Sequence, residues 1–274
     1  MRLTKNKYAQ LEMYKLMKRI FWSDYTTNEL SKLIAEENPV VILPVGSTEQ
    51  HGPHLTLNTD TDIGFEIAKL IAERSPIKTL VLPSVWTGFS EHHMDFCGTI
   101  SFKQTTLVAV INDIVSSLIR HGITRIIILN SHGGNSTILN AAVNEIACTY
   151  NVSPIVITYW QLITDQINNI RKSVMGGMAH ACELETSLKM LLSPKDVRTT
   201  LIEDVMITGD CFHNVDMFAS NKINFYKPFK EWSKTGQIGA PSKASVKTGE
   251  LILGEVLKKA IEFIELYWIN NKVK

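Results

Sequence analysis

The chain alternates between short apolar runs and longer segments in which apolar residues recur every three or four positions. Continuous apolar runs predict four buried strands, at 40–45, 79–82, 125–129 and 155–159. Helical periodicity is strongest in the segments 62–74, 107–119 and 245–268. Strands that are apolar throughout and separated by helices are typical of a parallel sheet covered on both faces. The pattern therefore predicts an α/β fold with a mostly parallel central sheet.

Composition narrows the class of protein. The 274 residues are 45% hydrophobic and 20% charged, and they contain no repeat or linker-like stretch, so we expect one domain over 1–274. Lys and Arg accumulate within residues 1–20, which we interpret as an N-terminal amphipathic arm. The formal net charge of +1 gives no global attraction for nucleic acid.

The sequence also bears on the compartment. No segment approaches the roughly 18 consecutive apolar residues of a membrane span, and no secretory signal pattern opens the chain. The four cysteines are widely spaced and form no Cys-x-x-Cys pair, which disfavours a disulfide framework. We therefore expect a cytoplasmic protein without membrane or nucleic-acid partners.

Polar clusters follow the predicted strands, where ligands bind in parallel sheets. After the first strand, Glu49 and His51 are two residues apart and Asp60 follows nine residues later. An extended backbone directs Glu49 and His51 to the same side, and carboxylate with imidazole suits Zn²⁺, Mn²⁺ or Fe²⁺. The alternative is that His51 is a polar loop residue and Asp60 a helix N-cap.

After the third strand comes Asn-Ser-His-Gly-Gly-Asn at 130–135, with His132 as a further candidate ligand. Gly133 and Gly134 allow close backbone approach, and their N–H groups could hold an oxyanion. No Gly-Lys-Ser/Thr follows, which disfavours a phosphate loop. The alternative is a tight turn with a surface histidine.

Two further segments contain candidate residues. If a helix begins near His180, Glu183 lies one turn further on the same face, whereas Glu185 lies elsewhere. Acidic residues in a first helical turn can also simply favour the helix dipole. Glu91 and His92 follow the second strand and could line a substrate pocket, although a plain loop is the alternative.

These segments together resemble the creatininase (creatinine amidohydrolase) family. The resemblance rests on LPVGSTEQHGPHLTLNTD at 43–60, EHHMDFCGTISF at 91–102, LNSHGGN at 129–135, HACELETS at 180–187 and GAPSKAS at 239–245. It covers about 200 residues in the family's order, and the first motif is highly specific. The resemblance implies a three-layer α/β/α sandwich and assembly as a homohexamer.

The resemblance also implies roles for the candidates. It implies one or two divalent metals, Zn, Mn or Fe, with Asp60 bridging them; the implied ligands are Glu49, His51, Asp60, His132 and Glu185. His180 matches a catalytic histidine. Creatininase proper has a glutamate ligand where this chain has Gly134. The His-Gly-Gly version resembles the branch that contains formamidopyrimidine deformylases and the mycofactocin peptidase, which implies a substrate other than creatinine.

The predicted function is hydrolysis of a non-peptide or cyclic amide or formamide C–N bond in a small molecule by metal-activated water. His180 would protonate the leaving nitrogen, and Glu183 would steer the water proton. One alternative is a metal- or ligand-binding oligomer without catalysis. A second is a nucleotide-binding α/β protein, which the missing G-x-G-x-x-G after the first strand disfavours.

Overall fold

A computed structural model describes residues 19–270. Its central sheet has four parallel strands in the order β2-β1-β3-β4. The strands are β1 (Val40–Val45), β2 (Thr79–Val81), β3 (Arg125–Asn130) and β4 (Ile155–Thr158). All six residues of β1 are buried, as a strand between two helical layers requires. The four predicted strands are present with shifts of one residue at most.

Helices cover both faces of the sheet. The long helices are α1 (Thr27–Glu37), α2 (Thr59–Arg74), α3 (Gln104–Arg120), α4 (Ser136–Tyr150), α6 (Glu183–Leu192) and α8 (Val246–Ile264), and the short ones are α5 (Ile167–Ile170) and α7 (Phe229–Trp232). Val40 and Ile42 face α2, α6 and α8, whereas Val41 and Leu43 face α3 and α4. The alternation of β1 side chains thus joins two apolar cores. This confirms the predicted α/β class and its three layers.

Some boundaries differ from the predictions. Helix α2 begins at Thr59 instead of residue 62, so that Asp60 lies inside its first turn. The closing helix α8 ends at Ile264 and continues as a π-helical turn, Glu265–Ile269. The segment 199–237 consists of loops, a 3₁₀ turn at Thr199–Leu201, the helical turn α7 and one isolated bridge at Val205.

The environment of His180 also differs. His180 ends a short strand, β5 (Met178–His180), which pairs antiparallel with β6 (Ile238–Gly239). Ala181 then adopts φ = 49°, and α6 begins only at Glu183. The prediction that His180 and Glu183 share a helical face is therefore wrong.

Three loops meet at the carboxyl edge of the sheet. The chain passes from β1 outward to β2 and returns to the other side of β1 as β3, so the strand order reverses between β1 and β3. Such a reversal opens a crevice where α/β proteins bind ligands. The loops after β1, β2 and β3 all lead into this crevice. This edge is where the polar clusters were predicted to meet.

Three predictions concern the ends and surface of the chain. Of the predicted arm, only Arg19 and Ile20 are described, and Ile20 is buried with its carbonyl accepting a hydrogen bond from Val81 N–H (2.7 Å). The rest of the arm, residues 1–18, lies outside the described residues. No helix within residues 19–270 is long and apolar enough to cross a membrane. The four cysteines are unpaired.

Candidate metal centre

Glu49 and His51 lie in the loop that leaves β1, and both side chains are fully buried. The Glu49 N–H donates to the Leu57 carbonyl (3.1 Å), which closes the loop on itself. Gly52 takes φ = 64°, a left-handed conformation that suits glycine and turns the chain back. The loop therefore holds a carboxylate and an imidazole at the end of β1.

Asp60 lies between two histidines from different loops. It stands in the first turn of α2, where the helix dipole favours a carboxylate. Its Oδ1 is 3.1 Å from His51 Nε2, and its Oδ2 is 3.1 Å from His132 Nδ1. His132 follows β3, so this one carboxylate joins the loops of two adjacent strands.

The backbone determines which nitrogen of each histidine faces the carboxylates. His51 Nδ1 lies 3.2 Å from the Glu49 carbonyl, and His132 Nε2 lies 2.9 Å from the Phe89 carbonyl. Because a carbonyl only accepts hydrogen bonds, we assign the proton to those two nitrogens. The opposite nitrogens then direct lone pairs at Asp60. A lone pair facing a carboxylate oxygen at 3.1 Å requires a cation or an added proton between them.

The carboxylate oxygens support the same interpretation. Glu49 Oε2 accepts hydrogen bonds from Ser90 Oγ (2.6 Å) and Ser47 Oγ (2.9 Å). Within the described chain, Glu49 Oε1 and Asp60 Oδ2 accept no hydrogen bond, although both are buried. Buried carboxylate oxygens are rarely left unsatisfied. These two oxygens and the histidine lone pairs therefore fit a divalent cation.

Three groups of three side chains could each hold an ion, and within each the ligand atoms lie within 4.8 Å of one another. The first group is Glu49, Asp60 and His132, the second is His51, His180 and Glu185, and the third is Glu49, His93 and His180. Glu185 belongs to the first turn of α6, and its Oε1 is 3.8 Å from His51 Nε2. Asp60 contacts His51 as well as His132, so it links the first two groups. The arrangement has the donors for one or two cations.

In the metal-free chain, the buried carboxylates raise the pKa of His51 and of His132 and so favour positive charge between the candidate ligands. Burial lowers the pKa of His132, but the negative charge of Glu49 and the adjacent Asp60 carboxylate outweigh burial and raise it to about 10. Burial likewise opposes protonation of His51, yet Asp60 raises the pKa of His51 well above its ordinary value. Both histidines therefore hold a proton where a metal would otherwise sit.

The Gln50 side chain has a fixed orientation beneath this cluster. Its Oε1 accepts from Gly52 N–H (2.9 Å), and its Nε2 donates to the Gly236 carbonyl (3.1 Å). The same Nε2 lies 2.8 Å from His93 Nδ1 and 3.0 Å from His180 Nε2. Because His180 Nε2 itself donates to the Gln50 carbonyl, we assign the second proton of the amide to His93. His93 therefore carries its own proton on Nε2, 3.2 Å from Glu49 Oε1. His93 thus directs its N–H towards Glu49 Oε1 without forming a hydrogen bond, and with this proton assignment it offers no lone pair to a metal.

His180 has the opposite arrangement. Its Nε2 lies 2.8 Å from the Gln50 carbonyl, to which it donates, so its Nδ1 keeps a lone pair. That nitrogen is 3.7 Å from Glu49 Oε1. Burial, together with the charges of His51 and His93, lowers the pKa of His180 well below its ordinary value. His180 is therefore a neutral imidazole with a free nitrogen at the cluster.

Comparison with known proteins identifies the family. The family described as creatininase, creatinine amidohydrolase, matches residues 23–264. Creatinine amidohydrolase of Pseudomonas putida is 29% identical over 87% of this chain and 93% of the relative. Mycofactocin precursor peptide peptidase of Mycolicibacterium smegmatis is 30% identical over 88% of each chain. This chain belongs to the creatininase family.

Solved creatininase structures agree with the fold. A manganese creatininase superposes with a TM-score of 0.77 at 27% identity and covers 92% of this chain and 100% of its own. A zinc–zinc form of a creatininase variant superposes with a TM-score of 0.76 at the same identity. The predicted family resemblance, the α/β fold and the prediction of a metal-dependent amidohydrolase are thereby confirmed.

Gly134 stands where creatininase proper was expected to have a glutamate ligand. A Cβ at Gly134 would lie 2.4 Å from the Phe89 carbonyl oxygen and 2.5 Å from His132 Nε2. A side chain there would require the backbone of the loop after β2 and the His132 ring to shift. At Gly133, by contrast, a Cβ would meet nothing within 4 Å. In this creatininase-family member, Glu185 lies near His51, whereas no carboxylate can extend from position 134.

Glu183 does not take the place that we predicted for it. Its two carboxylate oxygens accept hydrogen bonds from the backbone N–H groups of Lys172 (2.7 Å) and Ser173 (2.8 Å). The side chain is fully buried and belongs to none of the three groups of candidate ligands. Glu183 therefore anchors the segment before β5, and its geometry offers no support for steering the water proton.

The turn Glu91–His93 shows what the sequence could not resolve. Glu91 is exposed and does not line the cavity at the metal centre, whereas His92 does. His93, which we did not single out, is buried and contacts Glu49. Two adjacent histidines in a 3₁₀ turn give no sequence signal for which of them faces inward. Gln50 was missed for a similar reason, because its contact with Gly236 is remote in sequence.

The centre opens into a cavity of about 170 Å³. It is lined by Asp60, His92, His93, His132, Gly133, Gly134, Trp160, Ala179, His180, Glu185, Met217 and Phe229. Most of the predicted site residues thus meet around one small chamber. A chamber of this size admits a compact polar group, such as an amide and its immediate substituents.

Proposed function

We propose that this chain hydrolyses the C–N bond of a small amide or formamide at the centre formed by Glu49, His51, Asp60, His132 and Glu185. The observation that carries the proposal is the convergence of two histidine ring nitrogens on the buried Asp60 carboxylate, beside oxygens of Asp60 and Glu49 that lack hydrogen bonds. A closed structural site would leave no neutral histidine beside the ligands, whereas His180 stands there with a free nitrogen.

These residues have the donor chemistry for Zn²⁺, Mn²⁺ or Fe²⁺. The nitrogen and oxygen set is mixed, and the titles of similar creatininase structures name manganese and zinc. A divalent cation here would polarise an amide carbonyl and lower the pKa of water to about 7. We propose one or two ions per chain, with Asp60 shared when two are present.

His180 is the group that we propose to move the proton. Its Nδ1 lone pair can accept the proton of the attacking water as the C–O bond forms. The same nitrogen can return that proton to the leaving nitrogen as the C–N bond breaks, so atoms and charges balance. Gln50 supports this role, because its carbonyl holds the ring by Nε2.

Gly133 and Gly134 are our candidates for stabilising the oxyanion. Both line the chamber and immediately precede α4, where backbone N–H groups have no helical partner. Within the described chain neither N–H donates a hydrogen bond. They are therefore available to the oxygen on which negative charge develops.

We extend the proposal to the substrate, the assembly and the location of the protein. The relatives act, by their names, on creatinine and on a peptide precursor, and the absence of a ligand from position 134 leads us to propose an amide other than creatinine. We also propose a single catalytic domain, a homohexameric assembly by family resemblance, and a cytoplasmic location. Unpaired Cys97, Cys148 and Cys211 on the surface suit a reducing compartment.

The test compares two aspartates on the same helix. Elemental analysis and an amide and formamide hydrolysis panel would be run on the wild type, Asp60→Asn and Asp62→Asn. We expect Asp60→Asn to lose bound metal and at least about a thousandfold in turnover, because several kcal/mol of metal assistance are lost. Asp62, which pairs with Lys189, should leave metal content unchanged when it is replaced.

Two results would contradict the proposal. Metal content that is unaffected by Asp60→Asn would remove Asp60 from the centre. Stoichiometric metal in the wild type without turnover of any C–N substrate would favour a metal-binding protein that lacks catalysis.

A further inference from the structure

A second cavity, of about 310 Å³, adjoins the chamber at the metal centre. The two cavities share His92, Ala179 and Phe229. The second one is lined mainly by rings from the segment that precedes β6. We call it the aromatic cleft and define it by His213, Phe225, Tyr226, Phe229 and Trp232.

The rings of the cleft lie close to one another at moderate angles. The centroid of His213 is 4.7 Å from that of Phe225, and it is 6.2 Å from Trp232 at an interplanar angle of 20°. Phe225 and Trp232 are 6.1 Å apart. These separations fall in the range of favourable aromatic contacts. The rings thus form a preassembled group of flat apolar surfaces.

Much of this apolar surface is exposed. Phe225 is 51% exposed and Tyr226 is 61% exposed. An exposed group of large apolar side chains at the rim of a cavity marks a binding site more often than scattered single residues do. Its position beside the metal centre makes the substrate the occupant that the geometry favours.

Phe229 connects the cleft to the chemistry. Its ring lies 4.0 Å from that of His93 and 5.0 Å from that of His180. A group bound among the cleft rings would therefore have its attached amide next to His180.

We propose that the aromatic cleft binds a planar aromatic or heteroaromatic ring of the substrate that carries no positive charge, and that the attached amide then enters the metal-site chamber. This inference rests on the proposed function and specifies its substrate class. The volume is sufficient, since a dry cavity of about 150 Å³ already admits benzene. The cleft holds one substituted ring and leaves the reactive amide for the adjoining chamber.

The charges around the cleft support a ring without a cationic group. Lys227 Nζ lies 4.0 Å from the centre of the Trp232 ring. Among the described residues that line the cleft there is no carboxylate. A positively charged substituent would therefore meet a like charge and find no counter-ion in the cleft lining.

The experiment compares two amides that differ in planarity. Benzamide and cyclohexanecarboxamide would be titrated into the metal-loaded protein and their dissociation constants measured by ligand-observed NMR. We expect benzamide to bind about tenfold more tightly, because only a flat ring stacks on its neighbours. Phe225→Leu and Trp232→Leu should each remove most of this preference. Tyr267→Leu, which changes an exposed ring on the C-terminal turn, should leave it intact.

The outcomes separate this inference from the proposed function. Equal affinity for the two amides, or a preference that survives both cleft substitutions, would overturn the aromatic cleft even if the enzyme is active. A preference retained in Asp60→Asn, together with metal-loaded wild type that hydrolyses no amide, would overturn the proposed function and leave the cleft standing.

Discussion

Two aspartates in the first turn of α2 lie two residues apart and serve opposite purposes. Asp62 accepts hydrogen bonds from the fully buried Lys189 ammonium and from Ser193 Oγ (2.7 Å). The same ammonium lies 3.0 Å from Asp196, so every charge in this cluster has a partner. Asp60, by contrast, faces the ring nitrogens of two histidines, His51 and His132, and keeps one oxygen without a hydrogen bond.

The comparison shows how buried charges that stabilise the fold can be distinguished from buried charges that bind a ligand. A closed ion cluster satisfies its own donors and acceptors, and removing one partner destabilises the protein. An open cluster is stable only when something else completes it. Both clusters are buried and charged. They differ in that each carboxylate of the Lys189 cluster has a hydrogen-bond donor, whereas two carboxylate oxygens of the metal centre have none.

The largest effect on stability is expected from Lys189→Met. Removing the ammonium leaves Asp62 and Asp196 without their partner, at a cost of about 3 kcal/mol. We take the lower end of the usual range because both carboxylates retain some contact with water. Urea unfolding of the metal-free proteins would measure the difference. Metal content should not change, and its loss in Lys189→Met would mean that the two clusters are coupled.

Removing the metal should have the next largest effect. At a free metal concentration one hundred times its dissociation constant, binding stabilises the folded chain by about 2.7 kcal/mol. Chelation should lower the melting temperature of the wild type by the corresponding amount. Asp60→Asn should melt at the same temperature with and without chelator. A chelator-dependent shift in that variant would show that cation binding does not require Asp60.

A smaller effect, on turnover at the metal centre, is expected from Gln50→Glu. The carboxylate can only accept, so it should move the His93 proton from Nε2 to Nδ1 and remove the donor that faces Glu49. Partners of metal ligands usually contribute ten- to a hundredfold, and we expect turnover to fall by about that factor. Nitrogen-15 NMR of labelled histidines reports the tautomer directly. An unchanged His93 tautomer would refute the assigned orientation.

The smallest effect on stability is expected from Glu29→Gln. Glu29 is an exposed carboxylate whose oxygens accept hydrogen bonds, so it serves as a reference for the buried ones. A hydrogen bond from Arg19, followed by those from Thr26, lowers the pKa of Glu29 from an ordinary 4.5 to about 2. A lowered pKa contributes stability above pH 4.5 that disappears as the pH falls toward 2. The stability difference between wild type and Glu29→Gln should shrink over that window. Because the group is exposed, the change should be slight, and a large one would be inconsistent with solvent screening.

The fold was largely predictable because its strands are buried on both faces. Six consecutive apolar residues identified β1 to the residue, since no polar position interrupts a strand between two helical layers. The start of α2 was placed three residues late because the apolar stripe begins at Ile63, whereas the helix already includes Thr59 and Asp60. Periodicity detects the packed face of a helix and not its first polar turn.

The candidate site was predictable where its residues lie close together in the sequence. Glu49, His51 and His132 were identified from motifs within single loops, and their side chains do converge. His180 was placed in the wrong element, because β5 exists only through pairing with β6, about sixty residues later. Glu183 was misread for the same reason, since its backbone partners at 172 and 173 come together with it only in the folded chain.

Gly134 also constrains how this chain can change. A glutamate at that position would collide with the Phe89 carbonyl and with the His132 ring, so one substitution cannot restore the ligand of creatininase proper. The loop at 89–93 would first have to withdraw, which would release His92 and His93 from the chamber. The glycine and the loop at 89–93 therefore depend on each other, and a carboxylate at position 134 requires both to change together.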